Sequence, residues 1–191
     1  LGVNVINTEF SGRPEKAEES ERAFFRSMEE LLPIIEREGI DVRIDPHPDD
    51  FVEDGLEAVR IIRGVNSPNI GMVYVACHTF HMGGNMAEIM RAAGDKLRLV
   101  HVADTMDHHR SHGLRYISNP PGNPVRVHQH LKVGDGDVDW DDFFGGLAEL
   151  GFYDRDDTVM VSSVFAEDET AHEVSRYQLK TMTDYVAKHR G

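Results

Sequence analysis

The sequence carries eleven histidines, nine of them between His47 and His130. A neutral imidazole at physiological pH offers one nitrogen lone pair to a cation and one N–H to an orienting partner. Carboxylates and hydroxyls stand among them in a recurring arrangement: Glu9, then Asp45 with His47, His78 with His81, His101 with Asp104, and finally Ser162 and Ser163. Carboxylate oxygen and imidazole nitrogen together suit zinc, manganese or similar ions. A carboxylate within hydrogen-bond reach of a substrate can also move a proton. Asp45 and His47, two residues apart, share one face of an extended strand, so both could bind the same ion.

These groups gain meaning from the elements that end in them. Val3–Thr8 is a β-branched run, and a helix from about Ala17 to Glu38 follows, with Phe24, Met28, Leu31 and Ile35 as its apolar stripe and Gly39 as its stop. Pro33 lies inside that helix and is expected to bend or split it. The unit then repeats: strand Ile40–Asp45 and helix Glu53–Gly64, strand Ile70–His78 and helix Asn85–Gly94, strand Leu97–Asp104. A long loop from Thr105 to about Asp137 leads to a helix from Asp139 or Trp140 to Leu150, with Asp139 as N-cap. Thr158–Phe165 is a fifth strand and Ala171–His189 a closing helix. Five strands alternating with five helices predict right-handed βα units on a parallel sheet. In such folds functional groups collect at the C-terminal ends of the strands, so the polar strand ends are expected to converge.

Composition narrows the function. A length of 191 residues predicts one domain spanning 1–191, and no apolar run approaches the roughly 20 residues that span a bilayer. The net charge of −14 disfavours a phosphate backbone as partner, so neither nucleic acid nor membrane is expected. Cys77 is the single cysteine and cannot form an internal disulfide; with no signal segment apparent, the cytoplasm is the expected location. Alternation points Cys77 away from the site as a packing residue. His108, His109, His112, His172 and His189 read as surface or core residues, and the acidic run Asp135 to Asp142 as a solvated turn and helix start.

The stretches Val5-Ile-Asn-Thr-Glu-Phe-Ser-Gly, Arg26-Ser-Met-Glu-Glu-Leu-Leu-Pro-Ile-Ile-Glu-Arg-Glu-Gly-Ile, Arg115-Tyr-Ile-Ser-Asn-Pro-Pro-Gly and His128-Gln-His130 carry a resemblance. The chain resembles the xylose-isomerase-like TIM barrels, the superfamily of sugar phosphate isomerases and epimerases and of AP endonucleases, and within it myo-inositol-catabolism proteins of the IolH type. The resemblance implies an α/β fold, a (β/α) TIM barrel, with these five βα units as its strands four to eight and the N-terminal units missing. It implies that the open strand edges are covered by the missing segment or by another copy of the chain, as a homo-oligomer.

Residue by residue, the resemblance sets Asp45 where the superfamily ends its fifth strand in glutamate. His78-Thr-Phe-His81 stands for Asp-x-x-His, and His101-Val-Ala-Asp104 keeps the seventh-strand His-x-x-Asp. His128-Gln-His130 stands for an Asp-x-His, and Ser163 lies nearest to a missing eighth-strand glutamate. The implied metal ligands are Asp45, His47, His78 and His101, holding zinc, manganese or cobalt. Asp45 and Glu9 are the proton-transfer residues, with Glu167 a distant substitute, and His81, Asp104, Arg115, His128 and His130 contact substrate. The implied activity is metal-dependent isomerisation or epimerisation, via an enediolate, of a polyol-derived sugar, a sugar phosphate or a keto-inositol in myo-inositol catabolism. Two rivals are a non-catalytic inositol-pathway binding protein, suggested by Ser163, and an AP-endonuclease-like phosphodiesterase, which the acidic charge disfavours.

Overall fold

The computed structural model describes residues 2–83, 85–107, 129–165 and 170–190. Five strands, β1 (Val5–Glu9), β2 (Asp41–Asp45), β3 (Ile70–Val75), β4 (Leu97–Val102) and β5 (Val159–Ser162), form one sheet in sequential order. Every pairing is parallel. Helices α1 (Ala17–Glu38), α2 (Gly55–Val65), α4 (Met86–Ala93), α5 (Trp140–Glu149) and α6 (Ala171–His189) alternate with them, and a single extra turn, α3 (Ala76–Thr79), follows β3 directly. This is the arrangement of consecutive βα units of a TIM-barrel-like fold.

Local chemistry starts and stops the helices where the sequence suggests. Asp54, Asn85 and Asp139 each accept a hydrogen bond from the backbone N–H three residues on, capping α2, α4 and α5. Gly39 ends α1 with φ 64°, a conformation glycine adopts without a Cβ clash. Helix α1 corrects two expectations. Pro33 does not split it; Pro33 and Glu29 are both exposed, so water can satisfy the carbonyl that loses its N–H partner. Leu31 is 44% exposed, and Leu32 packs inward in its place, because the buried stripe continues from Met28 in a step of four residues.

Alternation along the strands sorts two faces. Val42, Ile44, Ile70, Met72, Tyr74 and Val100 pack with the helices in the main core. On the opposite face Val73, Val75, Leu99 and Ala103 make a smaller cluster. Arg43 closes the lower end of that face: its guanidinium donates to Asp41 and to the carbonyls of Arg98 and Asp157, 2.9–3.2 Å away. Val159 and Val161 of β5 remain exposed, and the outer edges of β1 and β5 pair with no other described strand. No helix among the described residues is long and apolar enough to cross a membrane.

Candidate metal centre and active site

Glu9 and Asp45 are register partners at the C-terminal ends of β1 and β2, and both face a cleft of about 510 Å³. Asn7, Ser11, His47, His78, His101, His130, Ser163 and Phe165 also line it. Convergence at the strand ends is therefore realised for Glu9, Asp45, His47, His78, His101 and His130.

A hydrogen-bonded row runs across the floor of the cleft. Asp45 Oδ2 lies 3.1 Å from His78 Nδ1, His78 Nε2 lies 3.1 Å from His130 Nε2, and His130 Nδ1 lies 2.6 Å from the carbonyl of Ser163. Only an N–H can serve that carbonyl, so His130 Nδ1 carries hydrogen and its Nε2 presents a lone pair to His78. Burial, reinforced by neighbouring imidazoles, pushes the pKa of His78 down to about 3 and that of His130 to about 4. Both rings are neutral at physiological pH. Burial pushes the Asp45 carboxyl well above its ordinary range, against the pull of His47.

The row then has two consistent states. With Asp45 protonated, its O–H donates to His78 Nδ1, and His78 Nε2–H donates to His130. With Asp45 ionised, His78 Nδ1–H donates to the carboxylate, and two nitrogen lone pairs meet at 3.1 Å. That second state calls for a cation, since two nitrogens on one zinc at about 2.0–2.1 Å bond length and tetrahedral angle sit roughly 3.3 Å apart. Asp45 Oδ1 adds a buried oxygen with no hydrogen-bond partner among the described residues. Donor set and spacing fit a divalent ion between the Nε2 atoms of His78 and His130, with Asp45 orienting His78 from its other ring nitrogen.

The surroundings hold these rings in place. His47 packs edge-on against His78 with centroids 4.5 Å apart, and its Nδ1–H donates to the Pro48 carbonyl at 2.8 Å, which makes Nε2 the lone-pair nitrogen of the neutral ring. Phe165 stacks on His130 at 4.1 Å and 15°. His101 is half-buried on the cleft wall, its pKa lowered by burial. Glu9, His47 and Asp50 form a second group whose ligand atoms lie within 4.8 Å of one another.

Other residues go elsewhere. Asp104 is fully buried and turned from the cleft: it accepts from the backbone N–H groups of Thr105, Gly134 and Val138 and from Trp140 Nε1, at 2.8–3.2 Å. It ties down the loop entering α5. His81 packs beside Glu53, with Nε2 3.6 Å from Oε2, and does not line the cleft. His130, expected as a substrate contact, stands in the row itself, because Leu131 bridges to Asp104 and carries its neighbour over the strand ends. Cys77 lies at the site rather than away from it, since it keeps the interior face of Val73 and Val75 and α3 turns His78 to the same side. Arg115, His128 and Glu167, with His108, His109 and His112, lie outside the described residues. Sequence reasoning missed Phe165 and the Ser163 carbonyl; Asn7 was legible as the residue two before Glu9 on the same strand face.

The chain matches the xylose isomerase-like TIM barrel family over residues 1–185. It belongs to that family. Among individual proteins, it is 27% identical over 177 residues to the inosose isomerase of Bacillus subtilis (strain 168), covering 90% of this chain and 58% of that protein. A crystal structure of the IOLI protein with a bound zinc atom superposes with TM-score 0.73 at 26% identity, covering 99% of this chain and 65% of that one. A D-psicose 3-epimerase from Clostridium cellulolyticum H10, solved with D-tagatose, shares the fold at TM-score 0.68 and 13% identity, over 98% of this chain and 65% of that one. The chain thus spans about three fifths of the length of these relatives. The expected superfamily and its inositol branch are found, with inosose isomerases among the matching relatives.

Proposed function

We propose that the protein is a divalent-metal-dependent isomerase or epimerase acting on a keto-inositol or a related ketose in inositol catabolism. The observation that carries the reading is the row Asp45–His78–His130, two facing imidazole nitrogens and an orphaned carboxylate oxygen at the floor of a cleft sized for a small polyol. The relatives' names, inosose isomerase, suggest the substrate class. In this reading the five strands correspond to strands four to eight of the barrel.

His78 and His130 would hold the ion, with Asp45 orienting His78 and with His101 and His47 on the adjoining wall. A bound divalent ion supplies Lewis-acid polarisation of a substrate carbonyl and its neighbouring hydroxyl. Ser163 fixes His130 through its carbonyl, and that imidazole supplies a nitrogen donor beside the position where the family carries a glutamate. Asp45 is committed through Oδ2 to His78, so the proton-transfer role, expected of both carboxylates, falls on Glu9. Glu9 is exposed at the cleft and free to reach a substrate carbon acid. It takes the proton from the carbon beside the carbonyl, leaving an enediolate; isomerisation returns that proton on the same face to the former carbonyl carbon while the hydroxyl proton passes to the carbonyl oxygen, and epimerisation takes the returning proton from water on the opposite face. The charge of −14 disfavours the phosphodiesterase alternative.

The test is solvent exchange. Incubated in D₂O with zinc, manganese or cobalt and a keto-inositol, the protein should place deuterium on the carbon next to the carbonyl, followed by NMR. Glu9→Gln should stop the exchange and leave metal binding unchanged. Metal binding with no exchange by the unaltered protein on any keto-inositol, ketose or sugar phosphate overturns the enzyme reading in favour of a binding protein.

A further inference from the structure

Cys77 is completely buried, packed with Val73, Val75, Leu99 and Ala103 on the interior face of the sheet. As a small hydrophobe it needs no further explanation. Its position does. One turn of helix after β3 brings two consecutive residues, Cys77 and His78, to the same place, where a strand would have sent them to opposite faces. The Cys77 sulfur and ligating nitrogens of His78 and His130 all lie within 4.8 Å of one another. Sulfur and nitrogen on one tetrahedral zinc ion are separated by roughly 3.6 Å. A small side-chain adjustment therefore joins all three to one ion.

A second feature points to the same ion: with Asp45 ionised, the Nε2 lone pairs of His78 and His130 face each other at 3.1 Å. Asp45 is 4% exposed, and its Oδ1 is buried without a hydrogen-bond partner among the described residues. We propose that Cys77 is a metal ligand, giving this protein a sulfur-containing, zinc-selecting centre of Cys77, His78 and His130, with Asp45 holding His78 from its other ring nitrogen. The proposal rests on the metal-site reading above and deepens it. On binding, the S–H bond breaks, the proton leaves to solvent, and the sulfur lone pair forms the bond to the ion, with no change of oxidation state. Thiolate is a soft ligand that favours zinc over manganese more strongly than oxygen donors do.

Cobalt(II) substitution reads this directly. The cobalt-loaded protein should show an intense near-ultraviolet sulfur-to-cobalt charge-transfer band alongside visible bands of a four-coordinate ion. Cys77→Ala should lose the charge-transfer band while cobalt still binds. Cys77→Ser should weaken zinc in a chelator competition at least ~10-fold, since even changes outside the ligand shell cost about 10–100-fold. Cobalt bound without the sulfur band in the unaltered protein overturns the proposal and leaves the metal reading standing. Failure of the unaltered protein to bind cobalt or zinc at all overturns both. The band in the unaltered protein decides the matter even if a Cys77 variant fails to fold.

Discussion

Replacing Asp104 by asparagine removes one charge and almost no volume. Asp104 Oδ1 accepts from the N–H groups of Thr105 and Val138, and Oδ2 from Gly134 N–H and Trp140 Nε1. An asparagine keeps one oxygen, so two of these four donors would face an NH₂ group in a fully buried position. Each buried donor left unsatisfied costs about 1–3 kcal/mol, giving a total of about 2–6 kcal/mol. A whole domain is stable by only about 5–15 kcal/mol. With about 2–4 °C per kcal/mol for a chain of this size, the melting temperature should fall by at least ~4 °C. Trp140 is the only tryptophan, so its fluorescence reports both the lost indole hydrogen bond and the unfolding transition. Because the same loop holds His130 through the Asp104–Leu131 bridge, zinc affinity should weaken too. A Trp140 emission spectrum and melting temperature both equal to those of the unaltered protein would refute the assignment of Asp104 as a buried tether.

Further outcomes follow from the same geometry. Asp45→Asn should lower zinc affinity at least ~10-fold by chelator competition and abolish deuterium exchange, because the amide neither balances the ion's charge nor accepts at both positions. Gly136→Ala should cost about 1–3 kcal/mol in urea unfolding, since a Cβ there would run into the Asp104 carboxylate and the Thr105 carbonyl. The pH dependence of the metal-free protein has a defined sign. His78 and His130 have folded pKa values of about 3 and about 4, below the unfolded value of about 6.5, so the unfolded chain takes up protons first as the pH falls. Their contribution is full above about pH 6.5 and is lost towards pH 3–4. The raised pKa of Asp45 opposes this from its ordinary value upward. With two imidazoles against one carboxyl, melting at about pH 5 should occur below melting at about pH 7; the reverse order would contradict the buried neutral pair.

The sequence by itself determined the order of strands and helices, because β-branched runs and the three-to-four-residue apolar spacing report local preference directly, and Asp54, Asn85, Asp139 and Gly39 mark ends through bonds within one turn. It also determined which chemistry gathers at the strand ends, since the direction of a parallel strand fixes where its last residue goes, as with Glu9, Asp45 and His101. What it left open lay just beyond those ends. Asp104 follows β4 by two residues, yet its carboxylate faces the α5 loop; His130 follows a long connection, yet its ring meets His78. His78 joins Cys77 on the interior face only because α3 starts without a linker. Face assignment rests on a regular dihedral period, and the period stops where the element does. From there side-chain direction is decided by distant partners, the Trp140 indole for Asp104 and the Ser163 carbonyl for His130, which only the tertiary structure brings within reach.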